Sequence, residues 1–135
     1  MGQYWKPVNI DKREFIHPHD LDEGLKLWEI VANKRTMQGL SILLAAMPVC
    51  RGGGDLPPAE IIGRWAGDRV AIVGDYAEDG DIAGCSIPAP LLYALTYGAE
   101  DIDVEELAAR YPGRDLTPFR NISADIAAYL EANDL

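Results

Sequence analysis

The chain reads as α+β, a small antiparallel sheet with about four or five helices around it. Three features say so. Residues 3–9 and 69–75 have the aromatic, β-branched and alternating character of strands. A turn at Asp11-Lys12-Arg13 folds the first stretch back onto Glu14-Phe15-Ile16 as a hairpin. Elsewhere apolar residues recur at helical spacing behind capping signals. At 135 residues and 14.8 kDa the chain fits a single domain, 1–135, with a Gly- and Pro-rich internal connector at 51–58.

In chain order, Pro7 lacks an N–H, so the first strand is expected at an edge, or Pro7 at a strand end. Asp20 and Glu23 have capping-box spacing, and a helix is expected after them with Leu21, Leu25, Trp28 and Ala32 on its buried face, widened by Leu27 and Val31. Thr36 is expected to cap a second helix that lines up Met37, Leu40, Leu43, Leu44 and Met47 and ends at Pro48. Residues 69–75 alternate Val70, Ile72 and Gly74 with Ala71 and Val73, which suggests a central strand buried on both faces. After an acidic turn, Ile82–Ile87 reads as a returning strand. Leu91, Leu92 and Leu95 behind Pro90 predict a short helix. Asp103 and Glu106 predict the cap of another, stopped by Pro112-Gly113. Ser123 is expected to cap the last helix, which carries Ile126, Tyr129 and Leu130.

The formal charge is −10, and residues 68–135 carry all of it. A strongly acidic half repels phosphate backbones and anionic lipid, so direct nucleic-acid binding and membrane adsorption are disfavoured. Cys50 and Cys85 lie 35 positions apart and form no CxxC or zinc-ligand pattern. The opening MGQYWKPVNIDKRE is charged, with no apolar run, and the longest apolar stretch, Ile42–Cys50, is too short to span a bilayer. A cytoplasmic protein with reduced thiols is the expectation.

Several groups invite chemistry. His17-Pro18-His19-Asp20 gathers the only two imidazoles, and alternate residues of an extended segment share a side. Asp75, Glu78, Asp79 and Asp81 surround a tight Gly turn with the oxygen donors that a hard cation prefers. The segment from Gly74 departs from the metallophosphoesterase GD-x-x-D-R-G pattern, with Glu78 and Asp79 at the positions of its second Asp and its Arg. Gly63-Arg64-Trp65-Ala66-Gly67-Asp68-Arg69 sets two Arg and a Trp between glycines, a surface that can recognise a carboxylate or phosphate, or a Trp-plugged core with paired arginines. No G-x-S-x-G elbow, phosphate loop or papain-type cysteine flank is present.

Gly2-Gln3-Tyr4-Trp5 with Asn9–Glu14, and Gly63–Arg69 followed by Val73-Gly74-Asp75-Tyr76, resemble the opening and central motifs of a group of small proteins in bacterial and fungal genomes. The resemblance covers roughly the first 80 residues. The group has no assigned activity, so the likeness implies no function, catalytic residue or cofactor.

The leading expectation is a non-enzymatic binding module that engages a basic protein partner through Glu100, Asp101, Asp103, Glu105 and Glu106, without a cofactor. Arg64, Trp65, Asp68, Arg69, Asp75 and Tyr76 are the candidate binding residues. The alternative is a small metal-dependent hydrolase or anionic-ligand-binding domain. It would use a divalent metal on His17, His19, Asp75 and Asp79, with Asp68 and the two arginines nearby. A homo-oligomer is also open.

Overall fold

A computed structural model describes residues 2–47 and 52–135. Its α+β architecture carries a four-stranded sheet: β1 (Trp5–Asn9), β2 (Glu14–Phe15), β3 (Val70–Gly74) and β4 (Arg120–Asn121), in spatial order β3-β1-β2-β4. β1 runs antiparallel to β2, with Val8 opposite Phe15, and to β3, with Lys6 opposite Val73. β4 is parallel to β2, so the sheet is mixed, not wholly antiparallel. The helices are α1 (Leu27–Ala32), α2 (Lys34–Leu44), α3 (Ala89–Ala94), α4 (Val104–Arg110) and α5 (Ser123–Ala132), with 3-10 turns at Pro18–Leu21 and Ala99–Asp101.

Side chains alternate across a strand, so the sheet has two faces. Val8, Phe15 and Val73 point into one buried cluster with Leu91, Leu92 and Leu95 around α3, Leu107 of α4 and Phe119. Ile16 belongs to the other, with Leu40 and Leu43 of α2, Trp65, and Ile126 and Leu130 of α5. Gly39 lets α2 close on α5: a Cβ there would stand 2.9 Å from Ile126 Cγ2.

Several elements differ from expectation. β1 is internal although it contains Pro7. On its β2 side Trp5 N–H donates to Leu25 O, and Pro7 O accepts from Ile16 N–H. β2 is only two residues long, so the missing Pro7 N–H falls past the end of that ladder. β3 is an edge strand, and its Ile72 is 36% exposed. Ile82–Ile87 forms turns instead of a strand; Gly80 and Gly84 both take positive φ, which breaks any ladder.

The helix expected from Leu21 divides. Leu21 ends a 3-10 turn, and α1 starts only at Leu27. Leu21, Leu25 and Ile30 are buried, whereas Leu27, Val31 and especially Trp28, at 88% exposure, face outward. The capping box is absent as well. Asp20 accepts from Asn121 Nδ2 (2.7 Å), and Glu23 accepts from Arg35 N (2.8 Å), Thr36 N (2.6 Å) and Thr36 Oγ1 (2.8 Å). Glu23 thus satisfies orphan donors in the first turn of α2, and Thr36 lies inside that helix rather than capping it. Met37 and Leu44 of the expected α2 stripe are exposed, and Ile42 is buried in their place. α2 ends at Leu44, short of Pro48, which lies outside the described residues.

α3 and α4 form as expected, with Asp103 Oδ1 accepting from Glu106 N at 3.1 Å. Ser123 is the first residue of α5, not its cap: its Oγ accepts from His17 N–H at 2.8 Å. Among the described residues no helix is long and apolar enough to cross a membrane.

Candidate ligand site: the Lys6 pocket

The two motif-bearing stretches are each other's partners. Asn9 Nδ2 and Lys12 Nζ both donate to Asp68 Oδ2, the first at 2.9 Å. Arg69 donates through Nε (3.0 Å), Nη2 (2.8 Å) and its backbone N–H (2.7 Å) to Asp11. Arg13 gives Nη2 to Thr117 O (2.7 Å) and stacks on Phe119. Glu14, 3% exposed, receives Arg64 through Nε and Nη2 and the Trp65 indole N–H at 2.9 Å, while Arg120 Nη1 lies 3.7 Å away. Its pKa falls below the usual carboxylate range: burial works to raise it, but the Arg64 and Trp65 hydrogen bonds and the two guanidinium charges outweigh that.

Gly63 makes this arrangement reachable. Its φ is +75°, a Cβ would meet Ala45 O at 2.6 Å, and its N–H donates to Ile42 O. The Arg64, Trp65, Asp68 and Arg69 side chains therefore fasten the β1–β2 hairpin to the segment before β3, with their polar groups engaged.

At the other end of β3, Asp75 Oδ1 accepts from Tyr4 N–H at 2.9 Å, and Tyr76 N–H donates to Gln3 Oε1 at 3.3 Å. The Tyr76 ring is exposed. Asp68 and Asp75 therefore stand at opposite ends of one strand. The His17 and His19 rings come together, with centroids 5.3 Å apart, and Asp79 sits on the exposed turn after β3. Among the described residues no three His, Cys, Asp or Glu side chains group as a metal ion requires. Cys85 is half-buried and donates weakly to Ile87 O; Cys50 lies outside the described residues. Glu100, Asp101, Asp103, Glu105 and Glu106 are all exposed around α4, where Arg110 lies 3.8 Å from Glu106.

Sequence reasoning passed over Lys6. It shares the Val8 face of β1, the face that enters the α3 cluster, and it is 2% exposed. Its ammonium donates to Thr96 O at 2.7 Å and reaches Thr96 Oγ1 at 3.4 Å. The Tyr97, Tyr93 and Phe15 ring centroids lie 4.0, 4.9 and 5.5 Å from Nζ, so aromatic faces add to the Thr96 carbonyl in solvating the ammonium. Among the described residues no carboxylate pairs with it. Burial lowers its pKa from 10.5 to about 8, against the weaker pull of Asp20 and Asp75.

Lys6 lines a pocket of about 390 Å³ with Phe15, His17, Tyr97, Phe119 and Asn121, and Asp101 is an exposed acidic member of the same wall. His17 is half-buried, and among the described residues its Nδ1 has no hydrogen-bond partner. Burial, with the Lys6 charge second, holds its pKa below the ordinary histidine value, which favours the neutral ring. Asn121 is fixed on both sides: its Nδ2 donates to Asp20, and its Oδ1 accepts from Ser123 N–H at 2.9 Å. A groove of about 490 Å³ lies on the other face beside Arg64 and Arg120, but those guanidiniums already serve Glu14 and Asp125.

Chemically, the pocket offers an apolar aromatic wall, one cation that no carboxylate among the described residues pairs with, one imidazole and the exposed carboxylate of Asp101. No family model, curated protein or solved structure matches the chain.

Proposed function

We propose that the protein binds a compact organic anion, a carboxylic acid with an apolar body, in the Lys6 pocket. One observation carries the reading: a buried ammonium that the fold supplies with a carbonyl, a long hydroxyl contact and aromatic faces, but, among the described residues, with no paired carboxylate. An unpaired buried ion is costly, and a bound anion returns part of that cost. Phe15, Tyr97 and Phe119 suit the apolar body, and the volume falls within the roughly 300–1,000 Å³ range of small-molecule pockets. This keeps the anionic-ligand reading of the sequence and His17 within it, and moves the site from the Arg64–Arg69 surface to Lys6.

The test is a titration of the protein with benzoate and with neutral benzamide, followed by NMR shifts. The expected result is saturable benzoate binding that perturbs β1 and α3, at least about tenfold weaker for benzamide and for Lys6→Met. Equal binding of the two compounds, or no binding, overturns the reading.

A second reading, a basic protein partner on the acidic surface, is favoured by the five exposed carboxylates from Glu100 to Glu106, with Arg110 as their one ion-paired neighbour among the described residues. It expects partner capture that weakens with salt and on reversing Glu105 and Glu106 to Lys.

A further inference from the structure

An amine in a ligand pocket is a nucleophile as well as a cation. We propose that the Lys6 pocket takes a 2-oxo acid and that Lys6 Nζ condenses with its carbonyl carbon to form an imine. The inference rests on the reading above and names its substrate class: the unprotonated fraction of Lys6 attacks the carbonyl of a 2-oxo acid, and the imine nitrogen, once protonated, keeps a positive charge beside the neighbouring carboxylate.

Geometry carries it. Nζ is held by Thr96 O at 2.7 Å and by the Tyr97 ring at 4.0 Å, so the amine is positioned rather than tumbling in water. No carboxylate among the described residues locks it in the ammonium form, in contrast to Lys12 on Asp68. With its pKa near 8, roughly a tenth of Lys6 is neutral at pH 7, about three hundredfold more than an ordinary lysine.

The step balances within the two partners. The Nζ lone pair forms the C–N bond while the carbonyl π pair moves to oxygen. The oxygen then leaves as water, carrying the two hydrogens that began on Nζ, and the nitrogen pair closes the C=N bond. No electron enters or leaves. His17 lines the same wall, and burial favours its neutral ring, the form that can take the proton from nitrogen and pass it to oxygen.

The experiment uses the full chain with glyoxylate and cyanoborohydride at pH 7, with and without benzoate, and peptide mass spectrometry to locate the reduced adduct. Lys6 is expected to be modified at least about tenfold faster than Lys12, Lys26 and Lys34, and benzoate to suppress that adduct alone. Modification that follows exposure and spares Lys6 overturns the imine. If benzoate still binds in the titration above, the binding reading survives that failure; if it does not, both fall. Labelling of Lys6 that benzoate leaves untouched also overturns the proposal, since the carbonyl then reaches the amine without occupying the pocket. Wild-type protein suffices for every arm, so no variant has to fold.

Discussion

Glu14 and Lys6 are both charged, both nearly inaccessible, and placed on neighbouring strands of one sheet, yet the fold treats them in opposite ways. On one face Glu14 meets a bidentate guanidinium, an indole N–H and a second arginine. On the other face Lys6 meets a backbone carbonyl, a distant hydroxyl and three rings. Burying an ion costs several kcal/mol, and the protein returns that cost around Glu14 but only in part around Lys6. Burial alone therefore does not separate scaffold from site; the completeness of compensation does. Glu14 ties the hairpin to the segment before β3, whereas Lys6 is a charge left open beside a cavity.

The contrast breaks most easily at Glu14. Glu14→Gln removes the charge that Arg64 and the Trp65 indole bond to, and because the Arg64 guanidinium is partly exposed to water it is expected to cost about 2–3 kcal/mol in urea unfolding, on the order of 10 °C in Tm. An unchanged midpoint removes Glu14 as the fastening point.

Stability against pH comes next. Between the folded Lys6 pKa of about 8 and its unfolded value of 10.5, the unfolded chain binds more protons, so stability rises with pH across that window. The rise is at most about 3 kcal/mol, and above pH 10 the raised phenol pKa values of Tyr93 and Tyr129, both due first to burial, oppose it. Urea midpoints measured from pH 7 to 10 read this directly, and a flat profile contradicts it.

Lys6→Met sharpens the comparison at pH 7. It swaps an incompletely compensated cation for an apolar chain of similar length, and is expected to be neutral or to stabilise by up to about 2 kcal/mol while erasing the pH-dependent rise. Asp101→Asn removes a repelling charge from the pocket wall and should tighten benzoate binding by about two- to threefold, read by the same NMR titration. Smallest is Asp11→Asn: the Asp11–Arg69 pair is exposed, and the urea midpoint is expected to stay where it is.

Much of the scaffold was legible because its signals are local. The hairpin followed from the turn at 11–13, β3 from its alternation, and α4 from the Asp103 cap. Distant partners account for what was not. Glu23 has the spacing of a local capping box but spends its carboxylate on α2, and the period of residues 21–32 does not reveal that Trp28 faces solvent. β4 is two residues held parallel to β2 from more than 100 positions away, with no pattern of its own. Around the pocket, His17 stood out because the imidazoles cluster in sequence. Thr96-Tyr97 and Asn121 come from two separate segments and carried no signal. Lys6 did carry one: a lysine alternating with Val8 and Ile10 on the apolar side of a strand is a polar group at a core position.

The most direct test is to follow the lysine side-chain resonances of the isotope-labelled protein from pH 6 to 11, alone and with saturating benzoate. The account predicts that Lys6 titrates near pH 8 in the free protein, and that a bound carboxylate moves it upward because the anion favours the ammonium form. A Lys6 that titrates with the exposed lysines near 10.5, unmoved by benzoate, would contradict it.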